Sequence, residues 1–254
     1  MVVILGYDPV ELGRKVEKAV CEGLKRRYYR FRADRWYGGI ATADCCGCNL
    51  RCVFCWSNYP RDNPSKTGKF YEPVEVAKRL TSIADKRGFK QLRISGNEPT
   101  LCKNHLLAVL EGIEEKYVFI LETNGILIGY DKKYARGLAR FNNIHVRVSL
   151  KGASPDEFAR LTGAKPEGFE LQLRALENLL DAGVSCHPAC MLSFSSKESV
   201  ERLIRRLAEI DKALVEEFEP EEVILYPHVI KRLRKAGVTP RRFFTPGNVP
   251  PEYV

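Results

Sequence analysis

Cys48, Cys52 and Cys55 stand in the run Cys48-Asn49-Leu50-Arg51-Cys52-Val53-Phe54-Cys55. Thiolates spaced by three and then two residues suit three corners of a cubane iron–sulfur cluster. No fourth cysteine follows at ferredoxin-like distance to complete the set. One iron of such a cluster keeps an open coordination position. A centre that only carries electrons gains nothing from that opening, whereas one that binds and cleaves a molecule requires it. A closed zinc site is the alternative use of clustered thiolates. Zinc draws on paired CxxC knuckles or histidines, and neither accompanies this run.

Further segments follow in a fixed order: Ser95-Gly96-Asn97-Glu98-Pro99-Thr100-Leu101, then Leu121-Glu122-Thr123-Asn124-Gly125, then Val146-Arg147-Val148-Ser149-Leu150-Lys151, then Glu157 to Gly163. Alone, each is a weak signal, since Gly, Asn and Pro are common turn residues. Together with a CxxxCxxC run that has an aromatic residue before its last cysteine, they resemble the radical S-adenosylmethionine (SAM) superfamily over roughly residues 40 to 193. The resemblance implies that Cys48, Cys52 and Cys55 hold a [4Fe-4S] cluster and that SAM chelates its open iron. Reduction then yields a 5′-deoxyadenosyl radical, with ferredoxin or flavodoxin as the electron donor. It also implies that Gly96, Asn97 and Glu98 hold the methionine amino group largely through backbone oxygens. Asn97 replaces the family's second glycine there, which bears on close backbone approach. Thr123, Asn124 and Ser149 become ribose contacts, Lys151 or Arg160 neutralises the carboxylate, and Phe54 packs near the adenine.

Alternation of apolar and polar residues supplies the elements that position these groups. Strands are expected at Gly39–Ala43, Gln91–Ser95, Val118–Glu122, Ile144–Leu150, Val184–Ser193 and Glu222–His228, with amphipathic helices between them. Ser154-Pro155-Asp156-Glu157 reads as a capping box, and Ser195 with Glu198 as another. Six βα units with right-handed crossovers give an α/β fold, a partial (β/α)6 TIM-like barrel with parallel strands and outer helices. In the fourth strand Ile144, Val146, Val148 and Leu150 share one face, and His145, Arg147, Ser149 and Lys151 the other. The second and fifth strands repeat the pattern, so the lumen is wet and basic and implies a ligand that fills it. His187 and Tyr226 are the substrate-facing candidates.

With 254 residues and 44% hydrophobic content, the chain can bury one large core. Residues 1–38 are expected as an N-terminal helix and connection, 39–230 as the core, and 231–254 as a basic helix and tail. No stretch reaches the ~20 apolar residues of a membrane span, and no signal segment opens the sequence. A cytoplasmic protein is expected, and nine cysteines, an odd number with three clustered, fit a reducing compartment. Cys186 and Cys190 are expected as buried small hydrophobes and Cys102 as packing beneath its turn; Cys45 and Cys46 are the alternative ligands, set aside because the Cys48/Cys52/Cys55 spacing already satisfies the pattern.

The substrate is less legible. In size the chain is similar to the activating enzymes of glycyl-radical proteins, which makes a protein substrate the leading expectation. The Ser149 to Gly163 stretch resembles the molybdenum cofactor biosynthesis protein A branch, whose substrate is small. Phe54-Cys55-Trp56 is similar to the wybutosine-synthesis enzyme of tRNA. A net charge of +9 with the runs Lys25–Arg30 and Lys231–Lys235 suits a polyanion. Asn58 to Gly68 is the expected lid loop. A non-catalytic iron–sulfur module is the alternative from another class.

Overall fold

The computed structural model describes residues 6–250. Helix α1 (Pro9–Val20) starts at Asp8, whose carboxylate accepts from the Val10 and Glu11 amides. A short strand β1 (Cys21–Glu22) and the long strand β2 (Lys25–Asp34) follow. Then come β3 (Ile40–Cys45), α2 (Asn58–Asp62), β4 (Lys69–Tyr71), α3 (Pro73–Arg87), β5 (Gln91–Ser95), α4 (Lys103–Glu111), β6 (Val118–Thr123), α5 (Ile126–Tyr130), α6 (Lys133–Leu138) and β7 (Ile144–Leu150). The remainder is α7 (Pro155–Thr162), α8 (Glu167–Asp181), β8 (Cys186–Met191), α9 (Lys197–Ile210), α10 (Ala213–Glu216), β9 (Glu219–Glu221), β10 (Val223–Ile224), α11 (Pro227–Lys235) and β11 (Phe243–Phe244).

One sheet runs in the order β1-β2-β3-β5-β6-β7-β8-β9, with β4 beside β2. From β3 to β9 each neighbouring pair is parallel. This is the expected partial barrel: six parallel strands, helices on the convex side, and among the described residues no pairing between β2 and β9. Local chemistry sets the helix limits. Pro73 and the reciprocal Glu72–Glu75 box start α3, and Gly88 at φ 71° ends it. Ser154 caps α7 by accepting from the Glu157 amide, with Pro155 next, and Gly163 closes it. For α9 the cap is Ser196, one residue beyond the expected Ser195. The Ser195 hydroxyl instead donates to Glu157 at 2.5 Å.

Ile144, Val146, Val148 and Leu150 are buried together with Leu173, Leu176 and Leu179 of α8, which turns Arg147 and Ser149 to the lumen. Cys186 and Cys190 are buried, as expected.

Three expectations need correction. The stretch before residue 39 is more than a helix and a connection, because β2 adds an antiparallel strand to β3. Its basic run hides the strand: Arg26 and Tyr28 alternate inward, each 1% exposed. The two terminal nitrogens of Arg26 donate there to the carbonyls of Pro99 and Glu98 at 2.9 and 2.7 Å, while its buried Nε has no partner among the described residues. The sixth parallel strand is Glu219–Glu221 rather than Glu222–His228. Pro220 lacks an amide and sits in an edge strand, where that costs little, while Pro227 starts α11. Finally, Cys102 is not a free thiol packed under its turn: it is joined in a disulfide to Cys21, with Cα atoms 6.0 Å apart. Eighty-one residues separate the two cysteines, and nothing local pairs them. Among the described residues no helix is long and apolar enough to cross a membrane.

Candidate active site

The carboxyl ends of the parallel strands and the cysteine run border one cavity of about 1100 Å³. Cys48, Cys52, Cys55 and Phe54 line it from the loop after β3. Gly96, Asn97 and Glu98 follow β5, Thr123 and Asn124 end β6, and Ser149 and Lys151 end β7. Tyr226 also lines it, stacked on His228, which bonds the Trp56 carbonyl next to Cys55. Arg160 is exposed on α7, donates weakly to the Phe194 carbonyl at 3.4 Å, and is not among the lining residues. His187 is absent from the lining too; it bonds His145 at 2.6 Å and Glu219 at 3.0 Å beneath it.

The Glu98 side chain, 2% exposed, ties two of these segments together. Its Oε1 accepts from the Thr100 and Thr123 hydroxyls, each at 2.6 Å, and Oε2 accepts from the Asn124 amide at 2.8 Å. The carboxylate is thus spent inside the protein. Gly96 holds φ 93°, and a Cβ there would lie 3.0 Å from Asp44, so this position needs glycine. Asn97 is not left-handed, and the backbone tolerates its side chain. The amide accepts from Gly47 N at 3.0 Å and donates to Ser57 O and Gly96 O at 3.1 and 2.9 Å. The Gly96 and Glu98 carbonyls therefore already accept from Asn97 and Arg26. Each keeps a second lone pair for an ammonium.

The lumen wall carries ion pairs that the sequence reading missed as partners. Arg93 bonds Asp34 and Glu122, each at 2.8 Å. Arg147 bonds Glu219 at 2.7 Å and Glu221 at 2.8 Å. Lys151 Nζ donates to Ser149 Oγ at 2.5 Å, and that hydroxyl donates to Glu221 at 3.1 Å. Burial alone would lift the Glu122 pKa, but Arg93, Arg147 and the Ser95 hydroxyl outweigh it and bring it to about 2. Glu219 reaches about 2 in the same way: burial opposes, and bonds from Arg147 and His187 prevail. Alternation identified Arg93, Arg147 and Ser149; of their carboxylate partners, Glu122 stood in the 121–125 segment without a role, and Asp34, Glu219 and Glu221 come from β2 and β9, where no pattern marked them.

The lid segment Asn58 to Gly68 is built rather than loose. Its first turn is α2, and Arg61, 5% exposed, donates to the Cys52 carbonyl at 2.7 Å. Phe54 stacks on Phe194 with ring centroids 5.7 Å apart.

A cubane cluster fits this donor set. Burial, then Glu98 and Cys52, push the Cys48 thiol up, and burial lifts Cys52 to about 11 despite Lys151. All three thiols line the same cavity. Leu50 N donates to Cys48 Sγ at 3.3 Å, and Asn124 Nδ2 lies 3.8 Å from it, the kind of donors that support a thiolate ligand. Among the described residues no histidine lines the cavity beside the three thiols apart from His228, which is committed to the Trp56 carbonyl.

Known proteins agree. The probable GTP 3',8-cyclase of Pyrobaculum aerophilum is 26% identical over 171 residues, covering 66% of this chain and 53% of that protein. That of Thermococcus kodakarensis is 30% identical over 131 residues, 51% of this chain and 39% of its own length. The chain thus spans about half the length of the curated relatives it matches. Streptococcus suis SuiB bound to S-adenosylmethionine superposes with a TM-score of 0.55 at 21% identity, over 75% of this chain and 44% of SuiB. The anSMEcpe structure with AdoMet and Cp18Cys peptide gives 0.51 at 21% identity, over 74% and 50%. Residues 44–207 match the Radical SAM superfamily profile, well over half of the chain. The chain belongs to the radical SAM superfamily, whose enzymes use a [4Fe-4S] cluster and S-adenosylmethionine.

Proposed function

We propose that this enzyme removes a hydrogen atom from a residue of a protein substrate that enters the lumen along the seam between β2 and β9. Cys48, Cys52 and Cys55 would hold the cluster, with SAM across the strand ends. When bound, the reduced cluster supplies the electron that cleaves SAM to a 5′-deoxyadenosyl radical. The chain's own part is placement. Carbonyls after β5 take the methionine ammonium, Thr123, Asn124 and Ser149 face the ribose, Lys151 meets the carboxylate, and Phe54 flanks the adenine. Arg160 leaves this assignment, since it stands outside the cavity.

The observation that carries the reading is that the thiols and the ends of β5, β6 and β7 meet on one cavity wall. The edges of β2 and β9, left unpaired with each other among the described residues, support a macromolecular substrate, because a closed barrel would be the economical enclosure for a metabolite. A cytoplasmic enzyme served by ferredoxin or flavodoxin completes the proposal. A nucleotide is the second reading: the relatives at 26–30% identity are named GTP 3',8-cyclases, and Arg30, Arg32 and Arg35 on the wall could meet phosphate.

Anaerobically reconstituted, reduced enzyme is offered the protein, RNA and small-molecule fractions of a cell extract, and 5′-deoxyadenosine is measured. Protein-dependent release supports the first reading. Release driven by small molecules alone sinks it in favour of the nucleotide, and RNA-driven release with a steep salt dependence points to tRNA.

A further inference from the structure

The three cysteines share one feature: the main-chain carbonyl of each is met by a different guanidinium. Arg51 Nη1 donates to Cys48 O at 2.7 Å and to Leu50 O at 3.0 Å. Arg61 Nη1 donates to Cys52 O at 2.7 Å. Arg232 donates to Cys55 O, and its Nε to Val53 O at 3.1 Å. These side chains come from the cysteine loop itself, from α2 and from α11. Asp62 aligns the first two, receiving Arg61 at 2.8 and 2.7 Å and lying 3.6 Å from Arg51. His228 Nε2 donates to Trp56 O at 2.9 Å and extends the hold of α11 by one more carbonyl.

Three guanidiniums and Lys151 against the carboxylates of Asp62 and Glu98 leave net positive charge beside three thiols. Partly desolvated cations are costly without compensating negative charge. Three thiolates on a cubane supply it, and reduction adds one more negative charge. Cluster potentials respond to net charge, nearby hydrogen bonds and solvent exposure. We infer that Arg51, Arg61 and Arg232 form a cationic cradle that fixes the carbonyls of the three cysteines and raises the reduction potential of the cluster they hold. The inference rests on the cysteine assignment proposed above. The arginines are positioning residues, since they reach the cluster through the loop and through space.

The test uses the holoenzyme without substrate, titrated anaerobically with reductant and followed by electron paramagnetic resonance. Arg232→Ala is expected to keep about four irons per chain and to be tenfold harder to reduce, a midpoint lower by about 59 mV for one electron. Arg232→Lys, which restores the charge, should recover most of that shift. Arg234→Ala, exposed on the same helix, should leave the midpoint unmoved. If Arg232→Ala sheds its iron, Arg232→Gln, which keeps hydrogen-bond donors and drops the charge, is titrated in its place with the same expectation. A neutral variant with the wild-type midpoint overturns the inference, as does a lysine variant that recovers nothing. Wild-type protein that takes up no cluster overturns the cysteine assignment and the cradle together, whereas loaded wild type with unmoved variants overturns the cradle alone.

Discussion

Around the cysteine loop, charged side chains bond to main-chain carbonyls: Arg51, Arg61 and Arg232 each serve one cysteine. On the wall from β5 to β9, charged side chains bond to one another, as in Arg93 with Glu122 and Arg147 with Glu219 and Glu221. A carbonyl cannot leave its loop, so the first arrangement fixes backbone. Paired side chains can exchange partners, so the second offers a wall whose charges a ligand can redistribute. The cysteine loop is thus held in one geometry, and the wall of strand ends by contacts that can exchange.

Cys52→Ala is the harshest way to break the first side of that comparison. Iron after anaerobic reconstitution should fall from about four per chain to background, while Cys186→Ala should load normally. Full loading in Cys52→Ala would leave the loop without a role.

On the wall, Arg147→Ala should cost about 3–5 kcal/mol in urea unfolding of the cluster-free protein. It leaves two partly buried carboxylates without their cation, and breaking such a pair is far worse than never having it. A cost under about 1 kcal/mol, the range of surface pairs, would mean that Glu219 and Glu221 find water or new partners.

Acid tests the same wall without mutation. The Glu122 pKa drops from 4.5 to about 2 on folding, so its contribution is fully present above about pH 4.5 and is lost as pH falls toward 2. The difference is on the order of 3 kcal/mol. Unfolding midpoints measured down that range should decline less in Glu122→Gln than in wild type; parallel declines would refute the assignment of this carboxylate.

Lys151 lies where the two regions meet, so its removal sharpens the boundary. Lys151→Ala should keep the cluster and weaken SAM binding about tenfold to a hundredfold, the loss of one charge-assisted hydrogen bond. Unchanged affinity in a binding titration would move the carboxylate contact off β7.

Sequence alone exposed what depends on spacing. The cysteine run, the two-residue period of β7 and the Ser154 cap are local patterns, and each maps directly onto an element. The antiparallel strand β2 was obscured because its alternation is carried by Arg26 and Tyr28 within a run of cations. The sixth strand was shifted because Glu219, Pro220 and Glu221 form an edge with no apolar signature, while the following Val223 and Ile224 carry one and pair with Phe243 and Phe244 instead. Bonds to carbonyls leave no trace in a sequence, since every residue has one. The Cys21–Cys102 bond and the reach of Arg232 join distant segments that only the completed fold brings together.

That reach also has a consequence in time. Arg232 lies 177 residues beyond the Cys55 carbonyl it meets. At a synthesis rate of about 5–20 residues per second, the cysteine loop leaves the ribosome roughly 9–35 s before the helix that clamps it. During that interval the thiols are out and their last arginine is not, so the Cys55 carbonyl waits for the guanidinium that holds it in the finished fold.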